Sequence, residues 1–252
     1  MENVVVWVYV AIRYLLLRLF FLTARVWHAP IDDDDEFIVC GDEGEGLLVI
    51  LHGIGASRSH FLRQVHHNKQ QLLARGMRYR RIYAPRVVYD RNRSIFAANQ
   101  HVISNIRQLH EQHDDEPIHI IGMSAGGRLA VCAQYGLRNI TVPMKIVTVG
   151  SPLNGTSLVS CVPKRLARWI VGPTLLRDFD PDCGAEQLNL AEYIQYSAPN
   201  RHFYHCYSTT DWMVFPPHRC ATAIGKPRAY AVPIRAVAHG ELLTQPQVLD
   251  CL

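Results

Sequence analysis

Residues 117–135 constrain the fold more than any other stretch of the sequence. PIHII (Pro117 to Ile121) is a compact apolar, β-branched run, GMSAG (Gly122 to Gly126) follows with a further Gly127, and Arg128 to Tyr135 has helical character. A chain that passes from a buried strand into a helix through one serine flanked by glycines makes a very sharp turn. Side chains at the flanking positions would block the strand-to-helix contact, and the central residue takes backbone angles that non-glycine residues rarely adopt. Such a unit predicts a parallel sheet with crossover helices and a serine hydroxyl projecting from the sheet edge, with a helix N-terminus behind it that favours developing negative charge.

The rest of the chain agrees. Phe37 to Cys40 and Leu47 to Leu51 read as strands joined hairpin-fashion by GDEGEG, and Arg80 to Ala84 as a weaker strand. Met144 to Gly150, His202 to Ser208 and Arg228 to Ile234 are three more strands. Ser59 to Arg75 reads as a helix closed by Gly76. From a Ser94 cap, Ile95, Asn99, Val102, Ile103, Ile106 and Leu109 keep an i, i+3, i+4 rhythm that predicts one amphipathic helix. The expected architecture is α/β, a doubly wound, mostly parallel sheet. Residues 37–252 form the catalytic domain, and the looser stretch at about 151–200 is read as a short cap.

Residues 1–29 form a separate hydrophobic helix and 30–36 an acidic linker containing Asp32 to Glu36. Val4 to Leu22 is long enough to span a bilayer, but Arg13 and Arg18 interrupt it; the apolar gain of roughly 6 kcal/mol and the arginine cost of roughly 5 to 6 kcal/mol nearly cancel. Three readings stand: a signal anchor, a helix docked on the domain, and a helix lying on the membrane surface. The shared helical sector of Arg13, Arg18 and Arg25 favours the last. The expected location is membrane-associated, and the charges flanking the segment put the catalytic part on the cytoplasmic side if it spans.

The formal charge of +4 is spread over 252 residues without a dense basic run beyond Arg78, Arg80 and Arg81, which argues against nucleic-acid binding. Seven widely spaced cysteines show no CxxC pair and no zinc-finger grouping, so no metal is expected. They read as reduced thiols, with a Cys161 to Cys183 bridge across the cap as the alternative in an oxidising compartment.

G-x-S-x-G in this setting makes Ser124 the candidate nucleophile. HGIG (His52 to Gly55), at the end of an earlier strand, stands where an oxyanion-binding loop belongs: the backbone N–H groups of Ile54 and Ala125 are the candidate donors, and His52 is either part of that function or structural. Asp211, just after the HFYHCYS strand, is the candidate acid, with Asp178, Asp180 and Asp182 as competitors in a solvated loop. His239, beyond the last strand, is the candidate general base. Gly53, Met123 and Leu153 are candidate substrate contacts, and Leu158, Val159, Leu166, Trp169, Ile170, Leu175 and Leu176 could line an acyl pocket or simply pack on the domain.

With LLVILHGIGAS, IHIIGMSAGG, VTVGSPLNGTSL, STTDWMVFP and AVAHGELL all present, the sequence resembles the α/β-hydrolase superfamily, in its lipase and esterase branch, over roughly Leu47 to Leu243. The order Ser124, Asp211, His239 along the chain is that superfamily's order. The resemblance implies hydrolysis of an ester by acylation of Ser124 and deacylation by water, without a cofactor. A lipid or other acyl ester is the expected substrate. An acyl-thioesterase and a catalytically silent binding protein are the alternatives.

Overall fold

In a computed structural model of the chain, the described residues are 36–39, 44–54, 79–90, 92–112, 115–157, 172–180 and 190–252, with 67, 70, 71, 165 and 168 as single positions. The N-terminal helix, most of the linker, Gly55, nearly all of the Ser59 to Arg75 helix and parts of the cap (158–164, 166–167, 169–171 and 181–189) lie outside them, as do Cys40, Cys161 and Cys183.

Seven strands form one sheet: β1 (Glu36–Val39), β2 (Leu47–Leu51), β3 (Arg81–Ala84), β4 (Ile118–Met123), β5 (Met144–Val149), β6 (Arg201–Ser208) and β7 (Ala229–Ile234). Their order is β1-β3-β2-β4-β5-β6-β7; β1 runs antiparallel to β3 and the other six are mutually parallel. The expected hairpin is therefore corrected: β1 pairs with β3, not with β2 (Phe37 opposite Tyr83). A Gly-rich turn permits a hairpin, but β2 is fully buried and has parallel partners on both sides, so it has no open edge for β1, which joins the sheet beyond β3.

Both faces are covered, as the near-continuous apolar strands require. Residues alternating along the strands divide between two cores. Val49, Ile120, Ile146 and Phe203 pack with Leu129, Val131 and Ala133 of a helix at Ala125–Gly136, while Ile50, Ile121, Val147 and Cys206 pack with Leu242, Val248 and Leu249 near the C-terminus. We label the helices α1 (Ile95–Ala98), α2 (Gln100–Glu111), α3 (Ala125–Gly136), α4 (Pro173–Phe179), α5 (Leu190–Gln195) and α6 (Pro246–Leu249). Among the described residues, no helix is long and apolar enough to cross a membrane.

The single helix expected after Ser94 is two. Ser94 caps α1 as expected, its Oγ accepting from the Ala97 N–H. Asn99 then breaks the helix: it is fully buried, its amide group donates to the Val88 and Ile95 carbonyls, and its Oδ1 accepts from the Val88 N–H at 2.7 Å. These bonds satisfy an extended neighbouring segment at the expense of helical continuity.

Candidate active site

Five strand ends meet at the C-terminal edge of the parallel sheet, where crossover folds of this kind expose their loops. β4 ends at Met123 and the next residue is Ser124, with φ 53° and ψ −124°, a strained conformation for a residue with a side chain. The strain is held from both sides. The Ser124 N–H donates to the Val149 carbonyl at 2.8 Å and its own carbonyl accepts from the Gly127 N–H at 3.0 Å. The flanking glycines are required by contact: a Cβ at Gly122 would fall 2.4 Å from the Gly126 carbonyl oxygen, one at Gly126 would fall 2.4 Å from the Leu51 carbonyl oxygen, and one at Gly127 would overlap Ser151.

The loop after β2 lies directly against this turn. A Cβ on Gly53 would come 2.8 Å from Ser124 Cβ and 3.4 Å from its Oγ, so the Gly53 backbone faces the hydroxyl and the half-buried Ile54 follows it. His52 holds the loop in place. Its Nε2 accepts from the Val87 N–H at 3.0 Å and its Nδ1 lies 2.9 Å from the Gly53 carbonyl oxygen, which fixes the neutral tautomer with the proton on Nδ1; burial lowers its pKa and reinforces that state. Tyr89 donates its hydroxyl to the His52 carbonyl. Of the two readings open for His52, its contacts are those of a structural residue. Ala125, the second expected donor, is the first residue of α3, where a backbone N–H has no partner within the helix.

His239 and Asp211 come from the loops after β7 and β6. His239 Nδ1 lies 2.7 Å from Asp211 Oδ2, and Asp211 Oδ1 accepts from the N–H groups of Met213 at 2.8 Å and Val214 at 3.2 Å. The carboxylate is buried, whereas the imidazole keeps a small exposed edge. The two loops are tied together: Ser208 Oγ accepts from the N–H groups of Thr210 and Val237, and the Thr209 N–H donates to the Ile234 carbonyl. The imidazole rests on Gly150, where a Cβ would come within 3.0 Å of His239 Cε1, and Gly150 follows the residue whose carbonyl holds the Ser124 N–H. Ser124, Asp211 and His239 are thus brought to one edge of the sheet, at the ends of β4, β6 and β7, with Gly53, Ile54 and Ala125 on the same edge. Met123 is half-buried at the same edge; Leu153 is 2% exposed and stands in the core with Ala125 and Leu129. Among the described residues, no group of three metal-binding side chains is found.

Asp178 is not the solvated acid expected of it. It is 5% exposed in α4, its Oδ2 accepts from the Ile95 N–H at 3.2 Å, and the Arg128 charge opposes the upward push that burial gives its pKa. Arg128 itself was not singled out from the sequence. It is 1% exposed, donates from Nη1 to the Pro152 and Leu153 carbonyls at 2.8 and 3.1 Å, and stacks over Phe179. A cation inside the apolar run GGRLAVCA was the available signal. Thr156 completes the frame, its Oγ1 donating to the Met213 carbonyl and accepting from the Phe215 N–H, so the loop after β5 is laced to the acid's loop. Of the acyl-pocket candidates, only Leu176 has a described side chain, and it is buried; the others lie outside the described side chains.

No family model matches the sequence, and no curated protein matches it. Solved structures do match the fold. An α/β-hydrolase superfamily protein from Enterococcus faecalis aligns with a TM-score of 0.58 at 16% identity, over 85% of this chain and 90% of that one. Est1E from Butyrivibrio proteoclasticus aligns at 0.57 and 15%, over 86% and 91%, and the carboxylesterase CesB from Bacillus subtilis at 0.50 and 16%, over 93% and 95%. At these identities the likeness establishes the fold, which is that of the α/β-hydrolases.

Proposed function

We propose that this chain is a serine hydrolase that cleaves carboxylic esters through an acyl-enzyme on Ser124. One observation carries the reading: the Asp211–His239 pair, 2.7 Å apart, is seated on Gly150 beside a strained serine turn. His239 takes the Ser124 proton at Nε2 as the hydroxyl attacks the acyl carbonyl, and returns it to the leaving alcohol. Asp211 accepts the Nδ1 proton, which fixes the tautomer and stabilises the imidazolium. The oxyanion sits between the N–H groups of Ile54 and Ala125. Water then repeats the cycle on the acyl-enzyme.

The structural neighbours named as esterases support an ester as substrate. Trp212 and Phe215, 43% and 37% exposed on the acid's loop, support an apolar acyl group. With the amphipathic segment Val4 to Leu22, they favour a lipid or other acyl ester met at a membrane surface. The test is labelling of the purified protein by a fluorophosphonate, wild type beside Ser124→Ala, with short and long p-nitrophenyl acyl esters alongside. Labelling and turnover present in the wild type and absent in the variant are expected. A folded wild type that neither labels nor turns over ester refutes the proposal.

A further inference from the structure

Two thiols lie close together behind the site, in the second core. Cys206 is in β6 between Val149 of β5 and Val232 of β7, and Cys251 is in the turn that follows α6; their sulfurs are 3.8 Å apart. Cys251 Sγ also donates to the Gln247 carbonyl at 3.2 Å. Both are free thiols, Cys206 1% and Cys251 8% exposed, packed with Val149, Leu242 and Leu249. Lys145 of β5 donates to the carbonyl of Leu252, the residue next to Cys251, which brings an ammonium group to this turn.

We infer that Cys206 and Cys251 are a peroxide-responsive pair that closes into a disulfide joining β6 to the C-terminal turn. The inference does not depend on the proposed hydrolase activity. The sulfurs stand in contact and need to approach by roughly 2 Å to reach bonding distance, which a rotation about the side chain of Cys251 in its short turn can supply. The roles of the two differ. The Cys206 thiol is held up by its contact with Cys251 and by burial, while that same contact and, against burial and Asp250, the Lys145 charge draw the Cys251 thiol down; being also the more exposed of the two and placed in a turn, Cys251 is the attacking sulfur. Its thiolate attacks one peroxide oxygen and releases an alcohol, or water from hydrogen peroxide, leaving a sulfenic acid. The Cys206 thiol then attacks that sulfur, and the sulfenic oxygen departs as water. Two thiols and one peroxide give one disulfide, one alcohol and one water.

The closed ring spans 45 residues of sequence and includes both Asp211 and His239. Oxidation thus staples the segment carrying these two residues to the sheet and narrows the unfolded ensemble. The experiment is titration of the whole chain with tert-butyl hydroperoxide, followed by intact mass, a non-reducing peptide map and the thermal midpoint. A loss of 2 Da, roughly the mass of two hydrogens, a Cys206–Cys251 linked peptide and a midpoint higher by roughly 5 to 10 °C are expected. Dithiothreitol reverses all three, and Cys251→Ser and Cys206→Ala abolish them. Oxygen addition at Cys251 without linkage, linkage only between other cysteines, or an unchanged mass under the peroxide overturns the inference.

Discussion

Substitution of Gly53 by alanine probes the proposed oxyanion loop with a single methyl group. Its Cβ would arrive 2.8 Å from Ser124 Cβ and 3.2 Å from the Met123 carbonyl oxygen, both on the Ser124 turn. That turn is fixed by the Ser124–Val149 hydrogen bond and three crowded glycines, so the loop after β2 is the part that gives way. Restoring ordinary contact takes a shift of roughly 0.6 Å or more, enough to move the Ile54 N–H out of the range in which an oxyanion donor works. Loss of one donor costs about 3 to 4 kcal/mol in the barrier, hence a fall in kcat of about 10²- to 10³-fold. Crowding also costs about 1 to 3 kcal/mol of stability. The assay is stopped-flow acylation by p-nitrophenyl butyrate, with the folded fraction measured by denaturant titration. A variant that acylates within threefold of wild type while losing stability would show that the 52–54 loop carries no donor.

Asp211→Asn keeps the shape of the acid but no longer enforces the His239 tautomer; kcat/KM is expected to fall about 10³- to 10⁴-fold with KM changed only a few-fold, and equal losses in both would contradict the role. Arg128→Met leaves the buried Pro152 and Leu153 carbonyls without their donor and should cost about 1 to 3 kcal/mol in urea unfolding; an unchanged urea midpoint would contradict that role. His119 and His205 have folded pKa values lowered by burial to about 4, against 6.5 for an unperturbed histidine. The unfolded chain therefore binds more protons between those values, and each contribution, up to about 3 kcal/mol, is complete above pH 6.5 and disappears as the pH falls towards 4. The urea midpoint should drop between pH 7 and 5, and His205→Phe should flatten that drop; Asp178, whose carboxyl burial pushes up, works in the opposite direction and is common to both proteins.

The strands were legible because a parallel sheet covered on both faces leaves continuous apolar runs, and β4, β5 and β6 begin and end within a residue or two of the expected positions. Pairing was less legible, since nothing local to Phe37 to Cys40 tells β1 that its partner is β3. Asn99 kept the helical rhythm at a position that tertiary hydrogen bonds took over. The placement of Ser124, Asp211 and His239 was readable because each follows a strand end, a place that sequence marks. The supports were not. Gly150 beneath the imidazole and Ser208 between two loops act across long sequence separations, and each is a common residue type with nothing unusual beside it in the chain; Arg128 carried a local signal, a cation in an apolar run, but nothing that told its partners.

Val149 and Gly150, two consecutive residues, locate both side chains of the proposed nucleophile and base: the carbonyl of the first holds the Ser124 backbone and the second supports the His239 ring. In an instrument this would be a common datum. Parts referenced to one face keep their mutual spacing however the frame around them flexes, because errors elsewhere enter both positions alike and cancel. Heating, pressure or a remodelled cap can then displace this strand end as a whole and leave the separation of hydroxyl and imidazole nearly unchanged, whereas a peptide-plane rotation at the Val149–Gly150 junction would misalign them with no other part of the domain moving.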